Sequence, residues 1–292
     1  MPNQNLPEDL TLSGASKAFI AATSTESGDH IRPLHRYLAM RLVLEGGFRP
    51  EELSPTPPLR SENREGAWYL SFDSSAETTK EQIVLGALKS KRIDIVAAKD
   101  GIGPVLAISV KGTSKAFRNL VNRTEEAVGD CANIHIMYPG LVYGFVHFLR
   151  ASDSSDRKLK PNDILLKSEG DVIGAAKDYA RILDGLSGRK LVRNDYSRYE
   201  AVALALLAVN QSRGQSPLMA SFPDSTSSLS LVSFFSSLYR VYDIRYSYTY
   251  TDPGVKHLSR ATWHLDSPAI TMLGEDKTLT SMLDYHLRVS DE

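Results

Sequence analysis

Two charged residues in the middle of the chain stand inside strand-like segments, where a charge is costly unless it is compensated. Asp94 interrupts one apolar run, and Lys111 closes the next. Since side chains alternate along a strand, Ser109 and Lys111 share one face. An Asp-Gly pair at residues 100–101 is typical of a tight turn, so a hairpin would bring Asp94 close to that face.

A carboxylate beside a lysine suits the hydrolysis of phosphodiester bonds. A divalent cation would neutralise the scissile phosphate and lower the pKa of its bound water, while Lys111 would help to position that water or stabilise charge. Mg²⁺ usually takes more than one acidic group or the substrate phosphates as ligands. The residue two before the lysine is Ser109, so we expect the second carboxylate on the following helix, at Glu125 or Glu126.

Helical periodicity favours Glu125 over Glu126. At about 100° per residue, counted from Phe117, Glu125 lies at about 80° beside the apolar positions, whereas Glu126 lies at about 180°. Arg118 lies at about 100°, on the flank of Glu125, from which it could contact phosphate. The predicted catalytic group therefore comprises Asp94, Ser109, Lys111 and Glu125, of which Asp94 and Glu125 would hold the metal.

The elements that must position these residues begin with an amphipathic helix. Leucines at helical spacing predict a helix over Ile31–Leu44, which a glycine pair at residues 46–47 ends. We predict a strand at Trp68–Phe72 and a helix at Thr79–Ser90, which opens with a capping pattern. The other predicted elements are hairpin strands at Arg92–Ala98 and Pro104–Lys111, a helix through Phe117–Val128 and a strand at Leu141–Leu149.

The C-terminal half is predicted to be mainly helical with one β-rich segment. Polar residues 151–162 indicate a linker, and helices are predicted at Asp171–Leu186 and Arg198–Val209. The end of the segment Leu229–Thr251 alternates strictly and predicts a strand with tyrosines at positions 246, 248 and 250 on one side. These tyrosines suit contact with DNA, but also a half-buried strand or a dimer edge.

The predicted elements define an α/β fold. Residues 31–150 form the expected core, a mixed central sheet flanked by helices in the order helix, strand, strand, strand, helix, strand. A polar N-terminal arm, residues 1–30, precedes it and holds at most a short helix near Leu12–Ala22. Residues 151–292 would serve target recognition or dimerisation.

The motif and the element order resemble the PD-(D/E)XK nuclease superfamily over residues 79–150. Within it, type II restriction enzymes that cut CCGG-containing sites carry a Ser-Val-Lys version of the motif, in which a Glu from the next helix replaces the missing acid. The run Ser109-Val110-Lys111, followed by Glu125, looks like that variant. No Pro precedes Asp94, and the interval from Asp94 to Ser109 is shorter than in those restriction enzymes. The CCGG specificity is therefore not carried over.

The resemblance implies a Mg²⁺-dependent endonuclease of restriction type that cleaves double-stranded DNA, with Mn²⁺ as a substitute metal. Because cleavage of both strands usually needs two active sites, it also implies a homodimer. Superfamily members often carry a further acid on the first core helix, for which Glu81 and Glu45 both qualify. Residues on the helix after the motif would contact DNA, although they also suit a solvated face: Lys115, Arg118 and Arg123.

Composition and missing motifs exclude several other classes. The net charge of −1 gives no support to a nucleic-acid partner, although a basic groove and an acidic metal site can cancel in the sum. The single Cys131 excludes a Cys-rich zinc site and fits a reducing compartment. Gly-rich phosphate loops are absent, so no nucleotide cofactor is expected. The sequence has neither an apolar run of about 20 residues nor a signal-like start, which predicts a cytoplasmic protein without a membrane span.

The histidines form no convincing set at this level, and neither His30 nor His35 belongs to an HExxH spacing. We interpret them as single buried or surface residues. Two alternatives to catalysis remain open. One is a non-catalytic DNA-binding or regulatory module that keeps the nuclease fold, which Ser109 in place of an acid favours. The other is a structural subunit of a larger complex.

Overall fold

The structure is a computed structural model that describes nine stretches of the chain. These stretches are residues 6–22, 28–113, 120–153, 164–166, 172, 175–190, 195–209, 222–246 and 258–291. The helices are α1 (Leu12–Ala21), α2 (Arg32–Leu44), α3 (Leu120–Met137), α4 (Ala175–Gly185), α5 (Leu231–Tyr246), α6 (Pro268–Glu275) and α7 (Lys277–Met282). Short 3-10 turns lie at Glu8–Leu10, Pro50–Glu52 and Ser74–Ala76.

Strands are distributed along the whole chain. They are β1 (Leu53–Ser54), β2 (Leu59–Arg64), β3 (Ala67–Phe72), β4 (Gln82–Val84), β5 (Lys91–Ile93), β6 (Ile95–Lys99), β7 (Gly103–Thr113), β8 (Val142–Asp153), β9 (Ile164–Leu166), β10 (Ala201–Val209), β11 (Trp263–His264) and β12 (Val289–Ser290).

The largest sheet has the order β1-β6-β7-β8-β10, with β9 also paired to β8. The pairs β1/β6 and β6/β7 are antiparallel, whereas β7/β8 and β8/β10 are parallel. Two parallel neighbours cannot be joined by a hairpin, and helix α3 supplies the crossover between β7 and β8. The register places Lys111 of β7 beside His147 of β8. The protein therefore has an α/β fold with a mixed sheet.

Helices cover both faces of this sheet and give it two apolar cores. Helices α1, α2 and α5 pack on one face, against residues such as Ile108 and Val110 of β7. Helices α3 and α4 pack on the other face, against residues such as Tyr143 and Phe145 of β8. A strand between two such layers needs apolar side chains on both sides. The polar residues that occur in these strands are therefore informative.

Two smaller sheets lie beside the main one. Strands β12, β11, β3 and β2 form a four-stranded sheet, and β4 pairs with β5 in a two-stranded antiparallel sheet. The second of these matters for the site, because its register sets Gln82 opposite Ile93. Asp94 follows this register directly and precedes β6.

Several sequence predictions are confirmed within one to four residues at the described ends. They are the helix at Ile31–Leu44 (α2), the hairpin of β6 and β7, the strand beginning near Leu141 (β8), the short N-terminal helix (α1) and the helix at Asp171–Leu186 (α4). The helix predicted from Phe117 is α3, whose described part begins at Leu120. All of these rest on local periodicity, which tertiary contacts left unchanged.

The helix predicted at Thr79–Ser90 is wrong. Strand β4 and an irregular loop occupy this segment. The side-chain amide of Asn133 bonds the backbone amides of Leu88 and Lys89, and Asn133 O accepts from Ala87 N. These long-range bonds replace the ones that a helix would have made within itself.

The helix predicted at Arg198–Val209 is also wrong, since β10 fills most of it. Alternate residues of β10 enter the two cores: Ala203 and Leu207 lie on the α5 side, whereas Leu204 and Leu206 lie on the α4 side. A strand that is buried on both faces is continuously apolar, and its alanine content mimics a helix.

Two further strand predictions need correction. Trp68–Phe72 lies in a strand, β3, but this strand belongs to the four-stranded sheet rather than to the main sheet, where β1 pairs with β6. The predicted strand with Tyr246, Tyr248 and Tyr250 begins inside helix α5, which ends at Tyr246. Tyr248 and Tyr250 lie outside the described residues.

The main sheet extends beyond the predicted core. Strand β10 pairs with β8 along nine residues, from Ala201 opposite Gly144 to Val209 opposite Ser152. The sheet therefore continues across the predicted boundary at residue 150. Among the described helices, none combines the length and the apolar character that crossing a bilayer requires.

Candidate metal centre

Asp94 lies at a bend between β5 and β6. Strand β6 pairs with β7 from Lys99 to Ile95, and this pairing stops opposite Ile108. The Asp94 carboxylate continues the contact, because its Oδ2 accepts a hydrogen bond of 2.7 Å from the backbone N of Val110. The bond holds the carboxylate at the end of the hairpin, where 22% of the side chain is exposed.

Glu81 is placed next to Asp94 by the two-stranded sheet. The last pair of its register joins Gln82 to Ile93, and Glu81 and Asp94 each lie one residue beyond this pair. Opposed positions on antiparallel strands bring side chains within about 5.5 Å of each other at Cβ. Glu81 therefore meets Asp94, although the two residues are separated by a loop.

His35 comes from helix α2 and completes the group. Its side chain is 9% exposed, and its Nε2 lies 3.8 Å from Asp94 Oδ1. This nitrogen is buried and has no hydrogen-bond partner among the described residues. A buried polar atom of this kind is rare, and an ion or a water is the kind of partner that satisfies it.

The donor atoms of His35, Glu81 and Asp94 converge. One ligand atom from each residue can be chosen so that all three lie within 4.8 Å of one another. The three side chains come from a helix, from the segment before β4 and from the bend after β5. Two carboxylates and an imidazole at this spacing form a donor set that suits a divalent cation.

Burial shifts the protonation of these groups. It lowers the pKa of His35 to about 4, a shift that Lys111 supports and Glu81 opposes. It raises the pKa of Asp94 above its usual value, although the bond from Val110 and the charge of Lys111 act in the other direction. Near neutral pH the imidazole is therefore uncharged, and a ring nitrogen offers a lone pair.

Lys111 lies on β7, three residues after Ile108, and is partly buried. Its charge acts on both His35 and Asp94, which places the ammonium near the cluster. Ser109 shares the strand but is differently engaged. It is buried, and its hydroxyl hydrogen-bonds the Tyr143 hydroxyl at 2.7 Å on the side covered by α3.

The predicted second ligand, Glu125, does not belong to the cluster and is exposed. Among the described side chains of α3, the buried ones centre on one face: Ala127, Asp130, Cys131, Asn133, Ile134 and His135. At about 100° per residue, Glu125 points roughly away from this face, while Glu126 borders it. The phase counted from Phe117 was therefore wrong for this helix.

Glu126, the next residue of α3, has a pKa that the charge of Lys111 lowers. Partial burial acts to raise the pKa of Glu126, but the charges of Lys111 and Arg123 outweigh this effect and lower it. Arg123 Nη1 lies 3.1 Å from Glu126 Oε2, and both side chains are exposed. The predicted DNA contact Arg123 is thus on the surface of α3. Lys115 and Arg118 lie outside the described residues.

Glu45, the alternative to Glu81, is bound elsewhere. Arg41 Nε donates to its Oε2 at 2.6 Å, and the Tyr239 hydroxyl donates to the same oxygen at 3.2 Å. Glu45 follows His35 by ten residues, which is roughly 15 Å along a helix. Between the two acids that the sequence left open, Glu81 is the one beside Asp94.

His35 is the member of the site that the sequence analysis missed. It stands between the buried Leu34 and Leu38 on the apolar side of α2. A histidine inside such a stripe is a usable signal, but by itself it indicates a core residue as readily as a ligand.

A cavity of about 310 Å³ adjoins the cluster and shares His35 and Glu81 with it. Arg36 also lines it and forms ion pairs with Asp9, at 3.1 Å, and with Glu77. The volume lies within the range of small-molecule sites, so a group bound at the cluster has room on this side.

Comparisons with family models, with curated proteins and with solved structures found no match to this chain.

Proposed function

We propose that the protein is a divalent-metal-dependent nuclease that hydrolyses phosphodiester bonds in double-stranded DNA. The observation that carries the proposal is the convergence of His35, Glu81 and Asp94 within 4.8 Å. The charge of Lys111 acts on His35 and on Asp94. Two carboxylates at this distance repel each other unless a proton or a cation compensates them. The buried, unpartnered Nε2 of His35 favours a metal ion as the missing partner.

The donor set also bears on the choice of metal. Mg²⁺ prefers oxygen ligands and keeps several waters, whereas imidazole nitrogen suits transition metals. We propose that Mn²⁺ binds more tightly than Mg²⁺, with either ion supporting activity. The bound ion would lower the pKa of a water and neutralise the scissile phosphate.

Lys111 supplies the second chemical element of the proposal. An ammonium next to the metal ligands would hold the attacking water or the phosphate by hydrogen bonds and offset its developing charge. Its position on β7, in the middle of the main sheet, gives this group a rigid support. Asp94 is equally well held, because Val110 N donates to its carboxylate.

The order of the elements supports the same class. Helix α2, strands β1, β6 and β7, helix α3 and strand β8 are similar in order to the core of the PD-(D/E)XK nucleases. The second carboxylate differs from the one expected for the Ser-Val-Lys variant of the motif. Glu81 precedes Asp94 in the chain, whereas the expected Glu125 follows Lys111. A restriction-type enzyme acting as a homodimer is the form we propose, since two sites are needed to cut both strands.

One observation favours the alternative, a DNA-binding or regulatory module without hydrolysis. Ser109 stands where an acid is usual, and its hydroxyl is already bonded to Tyr143. That strand therefore offers no third carboxylate, which would reduce the affinity for a cation. The alternative predicts binding of DNA without cleavage.

The proposal is tested by incubating the full chain with supercoiled plasmid in the presence of Mg²⁺ or Mn²⁺. Asp94→Asn, Glu81→Gln and Lys111→Ala should each lower the cleavage rate by about 100-fold or more. Glu125→Gln is the matched control, because this acid is exposed and outside the cluster, and its rate should stay within about 3-fold of the parent.

A readout that is independent of activity accompanies the rates. Mn²⁺ binding, followed by electron paramagnetic resonance, should weaken about 10-fold or more in His35→Ala and in Asp94→Asn. Cleavage that survives in Asp94→Asn and Glu81→Gln would refute the assigned site. An equal loss of cleavage rate in Glu125→Gln would instead assign the second carboxylate ligand to Glu125 on α3.

A further inference from the structure

The loop between β4 and β5, residues Leu85–Ser90, carries an apolar side chain that is almost fully exposed. Leu88 is 87% exposed, and Leu85 and Ile83 beside it are 53% and 64% exposed. A single exposed apolar side chain needs no explanation, but three large ones exposed in one hairpin call for one. We call residues Leu85–Ser90 the Leu88 loop.

The Leu88 loop is held rigidly. Asn133 of α3 is 2% exposed, and its Oδ1 accepts from Leu88 N at 2.7 Å and from Lys89 N at 3.2 Å. Its Nδ2 donates to Lys89 O at 2.8 Å, and Asn133 O accepts from Ala87 N at 2.9 Å. Gly86 admits no side chain, since a Cβ would lie 2.1 Å from Asn133 Nδ2. The leucine is thus presented on a preformed support.

Cations lie along this hairpin, from its base to its loop. Lys80 and Lys89 are exposed, and the Arg92 side chain is 69% exposed. Arg92 Nε lies 3.8 Å from Glu81 Oε2, so the basic side of the hairpin reaches the metal cluster. Lys80 before β4, Arg92 on β5 and Lys89 in the loop give the hairpin positive charge along its length, which matches a polyanion better than it matches an apolar protein surface.

The hairpin also has the right reach. Glu81 and Asp94 lie at its base, and three paired residues separate them from the loop. At about 3.3 Å per residue, the loop begins roughly 10 Å from the cluster, or about three base steps along a duplex. A group at the tip would touch DNA close to a phosphate bound at the cluster.

We propose that the Leu88 loop inserts into duplex DNA, with Leu88 as an apolar wedge that unstacks a base step and with Lys89 and Arg92 on the flanking phosphates. Apolar side chains that enter between base pairs in this way are known to kink the duplex. The inference rests on the proposed function for its partner, and it concerns binding rather than cleavage.

The test uses the full chain and a duplex that carries 2-aminopurine, whose fluorescence rises when it unstacks. Ca²⁺ replaces the catalytic metal, so that binding is measured without cleavage. The parent should raise the fluorescence, and Leu88→Ala should abolish the rise while weakening the affinity no more than about 3-fold. Ile102→Ala, at an exposed isoleucine in the β6–β7 turn, is the matched control and should behave as the parent does.

The flanking cations are tested separately. The double variant Lys89→Ala/Arg92→Ala should weaken binding about 10-fold or more at low salt and reduce the salt slope by about two. Lys277→Ala, at an exposed lysine of α7, should leave both unchanged. Thermal unfolding of every variant checks that the fold is retained.

Three results would overturn the inference. They are the absence of a fluorescence rise with the parent, a rise that survives in Leu88→Ala, and a dimer that Leu88→Asp converts to monomer while the rise is unchanged. Failure of the proposed function is distinct from these, because it is seen in the plasmid assay. A parent that never cleaves, yet unstacks the duplex through Leu88, would refute the nuclease and uphold the wedge.

Discussion

At the residue scale, burial of ionisable groups is the main physical effect in and around the site. Asp94 and His35 face each other, and burial shifts the pKa of each toward the uncharged form. His147, which neighbours Lys111 across β7 and β8, behaves as His35 does. Burial, with the charges of Lys111 and Arg123, lowers the pKa of His147 to about 4.

This shift makes stability depend on pH. The unfolded chain protonates His147 near its usual pKa of 6.5, whereas the native protein resists protonation until about 4. The unfolded state therefore binds more protons in this window, and native stability falls as the pH drops from about 6.5 to about 4. Between pH of about 7.5 and 5, this one group accounts for a loss of about 2 kcal/mol.

The His147→Gln variant should lose correspondingly less stability over that range. Gln can still accept a hydrogen bond from Thr113, whose hydroxyl now lies 3.0 Å from His147 Nε2. Urea denaturation at both pH values measures the difference, and His286→Gln, at an exposed histidine, is the control. His35 remains in both proteins, so its contribution cancels. An acid sensitivity equal to that of the parent would contradict the prediction.

At the element scale, the conformation of the β4–β5 hairpin depends on Asn133, a residue that is remote in sequence. The segment Thr79–Ser90 has helical composition, yet its backbone amides are bonded by Asn133. Because the loop depends on one buried amide, it can be released selectively.

Asn133→Ala should destabilise the protein by about 1–3 kcal/mol, since it leaves several backbone groups of the loop without partners. It should also make Lys89 a preferred site of limited tryptic cleavage, which mass spectrometry of the fragments would detect. The control is Asn63→Ala, an exposed residue whose Oδ1 accepts from Gly66 N at 3.1 Å in a surface turn. Resistance of Lys89 equal to that of the parent would show that the loop is held by other contacts.

At the scale of the whole molecule, a buried ion network joins the predicted core to the C-terminal half. Glu200 is inaccessible and lies 2.7 Å from Arg189, 2.6 Å from Arg245 and 3.3 Å from His135. It also accepts from Tyr143 N at 2.7 Å. These partners come from α3, from the start of β8, from the segment after α4 and from α5.

Replacing Glu200 by Gln would leave two buried arginines without their anion. Such a loss costs about 3–5 kcal/mol, because an uncompensated buried charge is left behind. The free energy of unfolding in urea tests this, with the parent protein as reference. Glu62→Gln, which breaks an exposed pair with Arg64, should leave the midpoint unchanged. A Glu200→Gln protein within about 1 kcal/mol of the parent would contradict the role of the network.

The sequence was sufficient wherever the structure depends on near neighbours. The leucines of α2 and the Asp100-Gly101 turn predicted a helix and a hairpin, because residues a few positions apart decide both. The same reasoning placed Asp94 next to the strand of Lys111. It could not place His35, which lies 59 residues before Asp94 (94 minus 35) and meets it only through packing of α2 on the sheet.

The sequence by itself determined the α/β class, the hairpin and two charged residues of the candidate site, Asp94 in the cluster and Lys111 on the neighbouring strand. Only the tertiary structure decided that Glu81 and His35 join Asp94, that Glu125 faces away and that residues 201–209 form a strand. Periodicity reports which side of an element is apolar, but not which layer covers it or how the element is rotated. A site assembled from four separate segments depends on those rotations.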